Sequence, residues 1–349
     1  MGAVRARSHN AGPTVSDPTM PDTPWKDFDH IRFDHAAERL KGVVERTPLL
    51  ELPSPDPRVR IHGKLENRQV TGAFKARGAW NNMQRLSAEQ RAAGVVGVSS
   101  GNHGKALAWA AAKAGVAATI VMPKDAYPNK IQACRDEGAE VVLTETRAAA
   151  VLTCDEFVAA GRTLVHPYDM EGTVEGAGTV GLEIAQDMPD VEVVMLPIGG
   201  GGLSAGSSLA LRRALGHELH IIGVEPEGAP NMIRGLAALE PVELESITTQ
   251  VQGLCPPAAG RLNIEICSLT LSDVWTVSDE QVFQAQATMV ALGEVVEPAG
   301  AATYAAALAG MSNPWVAKRT ESNPLRVVVV VSGGNPDPEQ LRRLQAASV

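Results

Sequence analysis

Five consecutive valines, Val327 to Val331, constrain this chain more than any other stretch. β-Branched residues pack well in a strand and lose rotamer freedom in a helix. No alternate position in the run is polar, so the strand must be covered on both faces, as in a parallel sheet flanked by helices. The segment 95–98 reads the same way, and 191–196 does so apart from Glu192 at its second position. The spacing further predicts strands over 60–65, 118–122, 139–143, 164–165, 220–224 and 274–277. Helices are predicted over 33–44, with Asp34 as N-cap, and over 72–86, 102–114, 129–137 and 145–160. More follow over 176–186, 203–215, 279–292, 299–308 and 338–347, while 241–271, which holds Pro256-Pro257, is expected to be connections. Strands alternating with helices predict parallel sheets. There are too many strands for one compact sheet, so the expected fold class is α/β with two open, twisted parallel-sheet domains.

The length of 349 residues fits two domains. The expected division is a lead of residues 1–25, a large domain of 26–92 plus 169–349, and a small mobile domain of 93–168. The lead is rich in Pro, Ser, Thr and Asp and is expected to be disordered. It carries two arginines without a following apolar segment, so no secretory leader is expected. The net charge of -9 argues against nucleic acid and against an anionic membrane surface. No apolar run of about 18 residues predicts a membrane span. Cys134, Cys154, Cys255 and Cys267 form no C-x-x-C pair and no zinc-ligand spacing with histidine, as expected of reduced thiols in a cytoplasmic protein.

Chemistry concentrates in four places. In Thr71-Gly72-Ala73-Phe74-Lys75-Ala76-Arg77-Gly78-Ala79, a lysine stands among small and apolar residues. Alone, a helical lysine more often lays its stem on the surface and keeps its ammonium in water. In low dielectric it loses proton affinity and becomes the neutral amine that attacks a carbonyl, which makes Lys75 a candidate Schiff-base residue. The other three places are glycine-bearing loops that directly follow predicted strands, where α/β sheets bind ligands. Ser99-Ser100-Gly101-Asn102-His103 opens a helix whose free amides suit a carboxylate, or else Ser100 or Asn102 merely caps that helix. Gly199-Gly200-Gly201-Gly202-Leu203 suits a phosphate, through close backbone approach and the helix start behind it. A rival dinucleotide pattern runs through Gly200, Gly202 and Ala205, with Glu225 as the ribose acid. Ser332, in Ser332-Gly333-Gly334-Asn335, offers a hydroxyl to a ring nitrogen or caps the last helix. A buried lysine, a phosphate loop, a carboxylate loop and a hydroxyl for a pyridine nitrogen together are what pyridoxal phosphate requires.

The motifs TGAFKARGA, SSGNHG, VEGAGTVGLEI, PIGGGGL, VEPAGAA and SGGN, in that order, resemble the threonine/serine dehydratase and serine racemase branch of the fold type II pyridoxal-phosphate enzymes. The resemblance runs from about Phe33 to Asn335 and implies a tryptophan synthase β-like fold. It implies that Lys75 carries the cofactor, Phe74 packs beside it, Asn102 bonds the ring hydroxyl, Gly199 to Leu203 hold the phosphate and Ser332 meets the pyridine nitrogen. Ser99 to His103 would hold the substrate carboxylate, and Ser100 matches the second acid/base of the racemising members. The implied reaction is β-elimination of a β-hydroxy amino acid such as L-threonine or L-serine to a 2-oxo acid and ammonia, in a homodimer. Alternatives on the same fold are a serine or aspartate racemase, a 3-hydroxyaspartate dehydratase and a β-replacement enzyme; a nicotinamide oxidoreductase is more distant. The chain departs from the pattern at Ala177, where glutamine is common, and at Gln252-Gly253, where an acidic residue usually precedes the glycine. It departs also at Asn231, which stands where the resemblance puts a carboxylate beside Glu225 and the Ala229 carbonyl in a divalent-cation site.

Overall fold

A computed structural model describes residues 24–310 and 314–347. Most of the expected lead, residues 1–23, lies outside the described residues. Its last residue, Trp25, is buried and packs 4.7 Å from the His217 ring. Among the described residues, ten strands form two sheets. In chain order they are β1 (Leu49–Leu52), β2 (Val59–Lys64), β3 (Val95–Val98), β4 (Ala118–Pro123) and β5 (Glu140–Thr144). β6 (Thr163–Leu164), β7 (Val193–Pro197), β8 (His220–Pro226), β9 (Asp273–Val277) and β10 (Leu325–Val330) follow. One sheet runs β1-β2-β10-β7-β8-β9, with only β1 antiparallel; the other runs β5-β4-β3-β6, all parallel. The fold class is therefore the mixed α/β arrangement expected. Among the described residues, no helix is long and apolar enough to cross a membrane.

The valine run lies where its composition demands. β10 is central, hydrogen-bonded in parallel to β2 and to β7. Val327, Val329 and Val331 join one core with Ala301, Ala302 and Ala305 of the Pro298–Ala309 helix. Val328 and Val330 join another with Val180, Ile184, Leu203 and Leu211. Burying each valine contributes about 1.5–3 kcal/mol, so both faces of this strand help hold the large sheet.

Three expectations read from local sequence fail, the last two for nonlocal reasons. The first helix, Phe33–Leu40, is capped by Arg32 rather than Asp34, because the Asp34 carboxylate pairs with the Arg32 guanidinium at 2.6 Å. Residues 241–271 are not all connections: Arg261–Thr270 is a helix, and its first amides donate to the Asp169 carboxylate across the chain. The helix expected over 176–186 runs Glu171–Asp187. Glycine weakens a helix in isolation, but here it permits contact. A Cβ at Gly206 would lie 2.2 Å from the Val174 carbonyl oxygen, and one at Gly181 would lie 2.3 Å from that of Ser207.

The helix Lys75–Arg85 is held by a buried ion cluster. Arg77 is fully buried and donates twice to Glu66 at 2.8 Å and to both oxygens of Glu183 at 2.7 and 2.9 Å. Lys64, at the end of β2, donates to Glu183 at 2.6 Å. Burial disfavours the Glu66 carboxylate, but the Arg77 charge and hydrogen bonds outweigh it and hold its pKa below the ordinary value. Arg77→Ala would leave two carboxylates with only Lys64 between them, a loss of about 3–5 kcal/mol. Urea unfolding followed by circular dichroism should show that loss. Arg77→Lys should also destabilise, because one ammonium cannot reproduce the planar fork.

Candidate active site

Lys75 is the first residue of its helix, and the segment before it lies along the end of β10. Gly334 N donates to Gly72 O at 2.7 Å, Phe74 N donates to Ser332 O at 3.1 Å, and Ala73 bridges Gly333. Gly72 must be glycine: its φ is +75°, and a Cβ would meet Asn335 Oδ1 at 2.7 Å. The lysine and Ser332, distant in sequence, are thus joined through backbone. The Lys75 ammonium donates to the Pro167 carbonyl at 2.6 Å and lies 4.8 Å from the Phe74 ring centroid. Although Lys75 keeps some exposed surface, burial of its ammonium pushes the pKa down to about 8.

The three strand-end loops open beside it. After β3, Gly101 caps the helix Asn102–Ala114 without a side-chain cap, so neither Ser100 nor Asn102 acts as the cap. Among the described residues, the backbone amides of Ser100, Asn102 and His103 have no acceptor, the Gly101 amide donates to Ser99 Oγ at 3.2 Å, and no hydrogen bond engages the Ser100 hydroxyl. After β7, the amides of Gly199, Gly200, Gly201, Gly202 and Leu203 likewise find no acceptor among the described residues. The helix Gly202–Leu215 that follows has no acid in its first turn. After β10, the Ser332 hydroxyl donates to Ala299 O at 3.3 Å, and Asp337, not Ser332, caps the last helix.

These donors and the buried amine match the comparisons with known proteins. Residues 40–333 match the family described as pyridoxal-phosphate dependent enzyme. This chain belongs to that family. It is 37% identical over 316 residues to the L-threonine ammonia-lyase of Thermotoga maritima, covering 88% of this chain and 76% of that one. It is 37% identical over 309 residues to the phenylserine dehydratase of Ralstonia pickettii, covering 87% and 92%. Maize serine racemase superposes with a TM-score of 0.79 at 32% identity, covering 90% and 96%.

Pyridoxal phosphate fits the residues present. The five unpaired amides of residues 199–203, on a helix start with no acid in its first turn, suit a dianionic phosphate. The glycines there are explained only in part by a ligand. Gly201 has a φ of +93°. Cβ atoms on Gly200 and Gly202 would collide with Tyr168, at 2.2 Å from its ring and 2.8 Å from its carbonyl oxygen. The divalent cation that the resemblance implies does not fit comparably. Glu225 is spent as a helix cap, accepting from Met232 N at 2.7 Å and Ile233 N at 3.1 Å, and the Ala229 carbonyl accepts from Asn231 N at 2.9 Å. Asn231 Oδ1 is buried without a donor, yet Asn231 brings no charge, so the set holds a single carboxylate. The same capping bonds remove Glu225 as a ribose acid.

The His103 side chain is structural. Its Nε2 faces the Val165 carbonyl at 2.9 Å in the protein interior, and burial, followed by the Lys75 charge, pushes its pKa down to about 3. Only its backbone amide is left for a substrate. Sequence reasoning missed the segment His166-Pro167-Tyr168-Asp169. Pro167 receives the lysine, Tyr168 backs the glycine loop, His166 Nδ1 accepts from Asp169 N at 2.8 Å, and Asp169 caps the helix Arg261–Thr270. Its signal was a Pro-x-Asp turn at the end of a short strand. Gln252-Gly253 stands out in the sequence only as a departure; it lies against the glycine loop, with Gly253 O 3.3 Å from a Cβ built on Gly199.

With a pKa of about 8, the neutral fraction of Lys75 rises from about one-tenth at pH 7 to about nine-tenths at pH 9. Stopped-flow absorbance should therefore show cofactor uptake by the apoprotein accelerating about tenfold over that interval, then levelling. A pH-independent rate would contradict a buried ammonium.

Proposed function

We propose that this chain catalyses pyridoxal-phosphate-dependent β-elimination on a β-hydroxy amino acid, releasing a 2-oxo acid and ammonia. The observation that carries the reading is the Lys75 ammonium, buried on a neutral carbonyl beside two loops of unpaired amides. Lys75 is read as the residue that carries the cofactor and, once displaced by the substrate amine, as the base that removes the Cα proton. The cofactor, when bound, supplies the electron sink for the charge left on Cα. The amides of Gly199 to Leu203 hold its phosphate, Phe74 packs beside its ring, an Asn102 N–H meets its ring hydroxyl and Ser332 faces its pyridine nitrogen. A neutral hydroxyl, unlike a carboxylate, does not force that nitrogen to be protonated, which favours elimination over transamination. The substrate carboxylate takes the amides of Ser100, Asn102 and His103, with Ser99 holding the turn through Gly101 N.

A second reading has one observation in its favour. The Ser100 hydroxyl is free of hydrogen bonds among the described residues, so it is available as an acid/base on the other face of Cα, as racemisation requires. We also propose that residues 26–92 with 169–349 and residues 93–168 act as two domains, and that the enzyme works as a cytoplasmic homodimer. The exposed Val70, Leu292 and Val295, which flank the Arg68–Glu294 ion pair in sequence, support an apolar contact there.

Lys75→Ala should abolish both the visible absorbance of the bound cofactor and 2-oxo-acid release from L-threonine, L-serine, phenylserine and 3-hydroxyaspartate, tested with and without Mg²⁺. Retention of either property sinks the assignment. Ser100→Ala should keep elimination and lose any racemisation, read by chiral chromatography. Light scattering should give about twice the 36.7 kDa of one chain.

A further inference from the structure

Asn102 is gripped at both ends of its amide. Its Nδ2 donates to Glu297 Oε1 at 2.6 Å, and its Oδ1 accepts from Asn335 Nδ2 at 2.9 Å. Glu297 immediately precedes the helix Pro298–Ala309 yet does not cap it with its side chain, so the carboxyl is aimed elsewhere. The backbone makes room for it: a Cβ on Gly333 would lie 2.3 Å from Glu297 Oε1. Burial pushes this carboxyl above its ordinary range, opposed by Lys130, by the Asn102 amide and by Lys105. Asn335 in turn receives Lys105 Nζ at 3.2 Å on its side-chain oxygen and Lys130 Nζ at 2.8 Å on its backbone oxygen.

A primary amide has two N–H donors and one oxygen with two lone pairs. Glu297 takes one N–H, and Asn335 occupies one lone pair. A flipped Asn102 would set oxygen against oxygen at Glu297 and nitrogen against nitrogen at Asn335. The clamp therefore fixes which end of the amide is the donor and leaves one N–H unspent. We propose that Glu297 is a positioning residue that acts through Asn102, fixing its amide so that the remaining N–H serves the ring hydroxyl of pyridoxal phosphate. The inference rests on the assignment of Asn102 to that hydroxyl. It gives a task to a buried glutamate that does not cap its own helix, and it explains why Gly333 has no side chain.

The test uses the full-length holoprotein reconstituted with pyridoxal phosphate. Glu297→Met removes the acceptor at similar length; Glu297→Gln keeps an acceptor oxygen and is the rescue variant. For Glu297→Met, fluorescence titration of the apoprotein should give cofactor binding about tenfold weaker. Its absorbance should also move from the visible band towards the near-ultraviolet, while Glu297→Gln stays within about threefold of the parent protein. Asn102→Ala should cause the same losses, and the double variant should lose little more than either single one. A merely structural glutamate would lower the melting temperature and leave the spectrum alone. A wild-type spectrum and affinity in folded Glu297→Met, or losses that add in the double variant, would overturn the proposal. If Glu297→Met does not fold by circular dichroism, Asn335→Ala frees the other end of the clamp; it should shift the spectrum in the same direction, and no shift counts against the proposal. If the parent protein lacks a visible band that Lys75→Ala removes, the broader functional reading fails; if that band behaves as expected and Glu297→Met is silent, only this inference fails.

Discussion

Arg77 is the interaction on which the site depends. It lies two residues after Lys75, fully buried, and ties together the turn after β2 through Glu66 and the Glu171–Asp187 helix through Glu183. A buried charge of this kind is weak evidence for net stability, because desolvating the ions costs about as much as their attraction returns. Its effect is on geometry. A planar guanidinium shared between two carboxylates admits little rotation, so the first turn of the Lys75–Arg85 helix has one permitted setting. The acids stay with Arg77, and the Lys75 ammonium is left with a carbonyl. One charge in this helix is fully neutralised so that its neighbour two residues away stays without a counter-ion.

The second constraint is close approach. The Glu171–Asp187 helix meets its neighbours through glycines, with Gly176 against the backbone of Arg77 and Gly178 against that of Gly206. These contacts carry the ion cluster, the lysine helix and the helix behind the glycine loop as one block. The strand ends then deliver three loops to one cleft, and the parts from the smaller sheet reach it through hydrogen bonds such as Asn102–Glu297 and Lys130–Asn335.

Much of this was legible in the sequence. The valine run gave the central strand because its composition allows nothing else, and the segments 95–98 and 102–114 were read with the bounds they have. Lys75 and the three glycine-bearing loops could be found because each is a local departure from ordinary composition. What was hidden is nonlocal. The helix Arg261–Thr270 borrows its cap from Asp169, so its own residues carry no start signal. Glu297 sits in a legible motif, but its direction depends on space left by Gly333. The His103 side chain is structural rather than catalytic, but no sequence rule points it at the Val165 carbonyl. The spare carboxylate at Glu225 looked like a ligand because its consumption by two amides is a fact of folding.

The contact between Tyr168 and the glycine loop bears on how mutational data for such a loop are to be interpreted. Gly200 and Gly202 pack their Cα atoms against Tyr168, while their amides find no acceptor among the described residues. A substitution scan would find both positions intolerant for reasons of volume and would invite the conclusion that they hold the phosphate by their smallness. The tolerance pattern would in truth map the footprint of Tyr168, its ring at Gly200 and its backbone at Gly202. In this loop, intolerance to substitution and contact with a ligand are separate properties that happen to fall on the same residues.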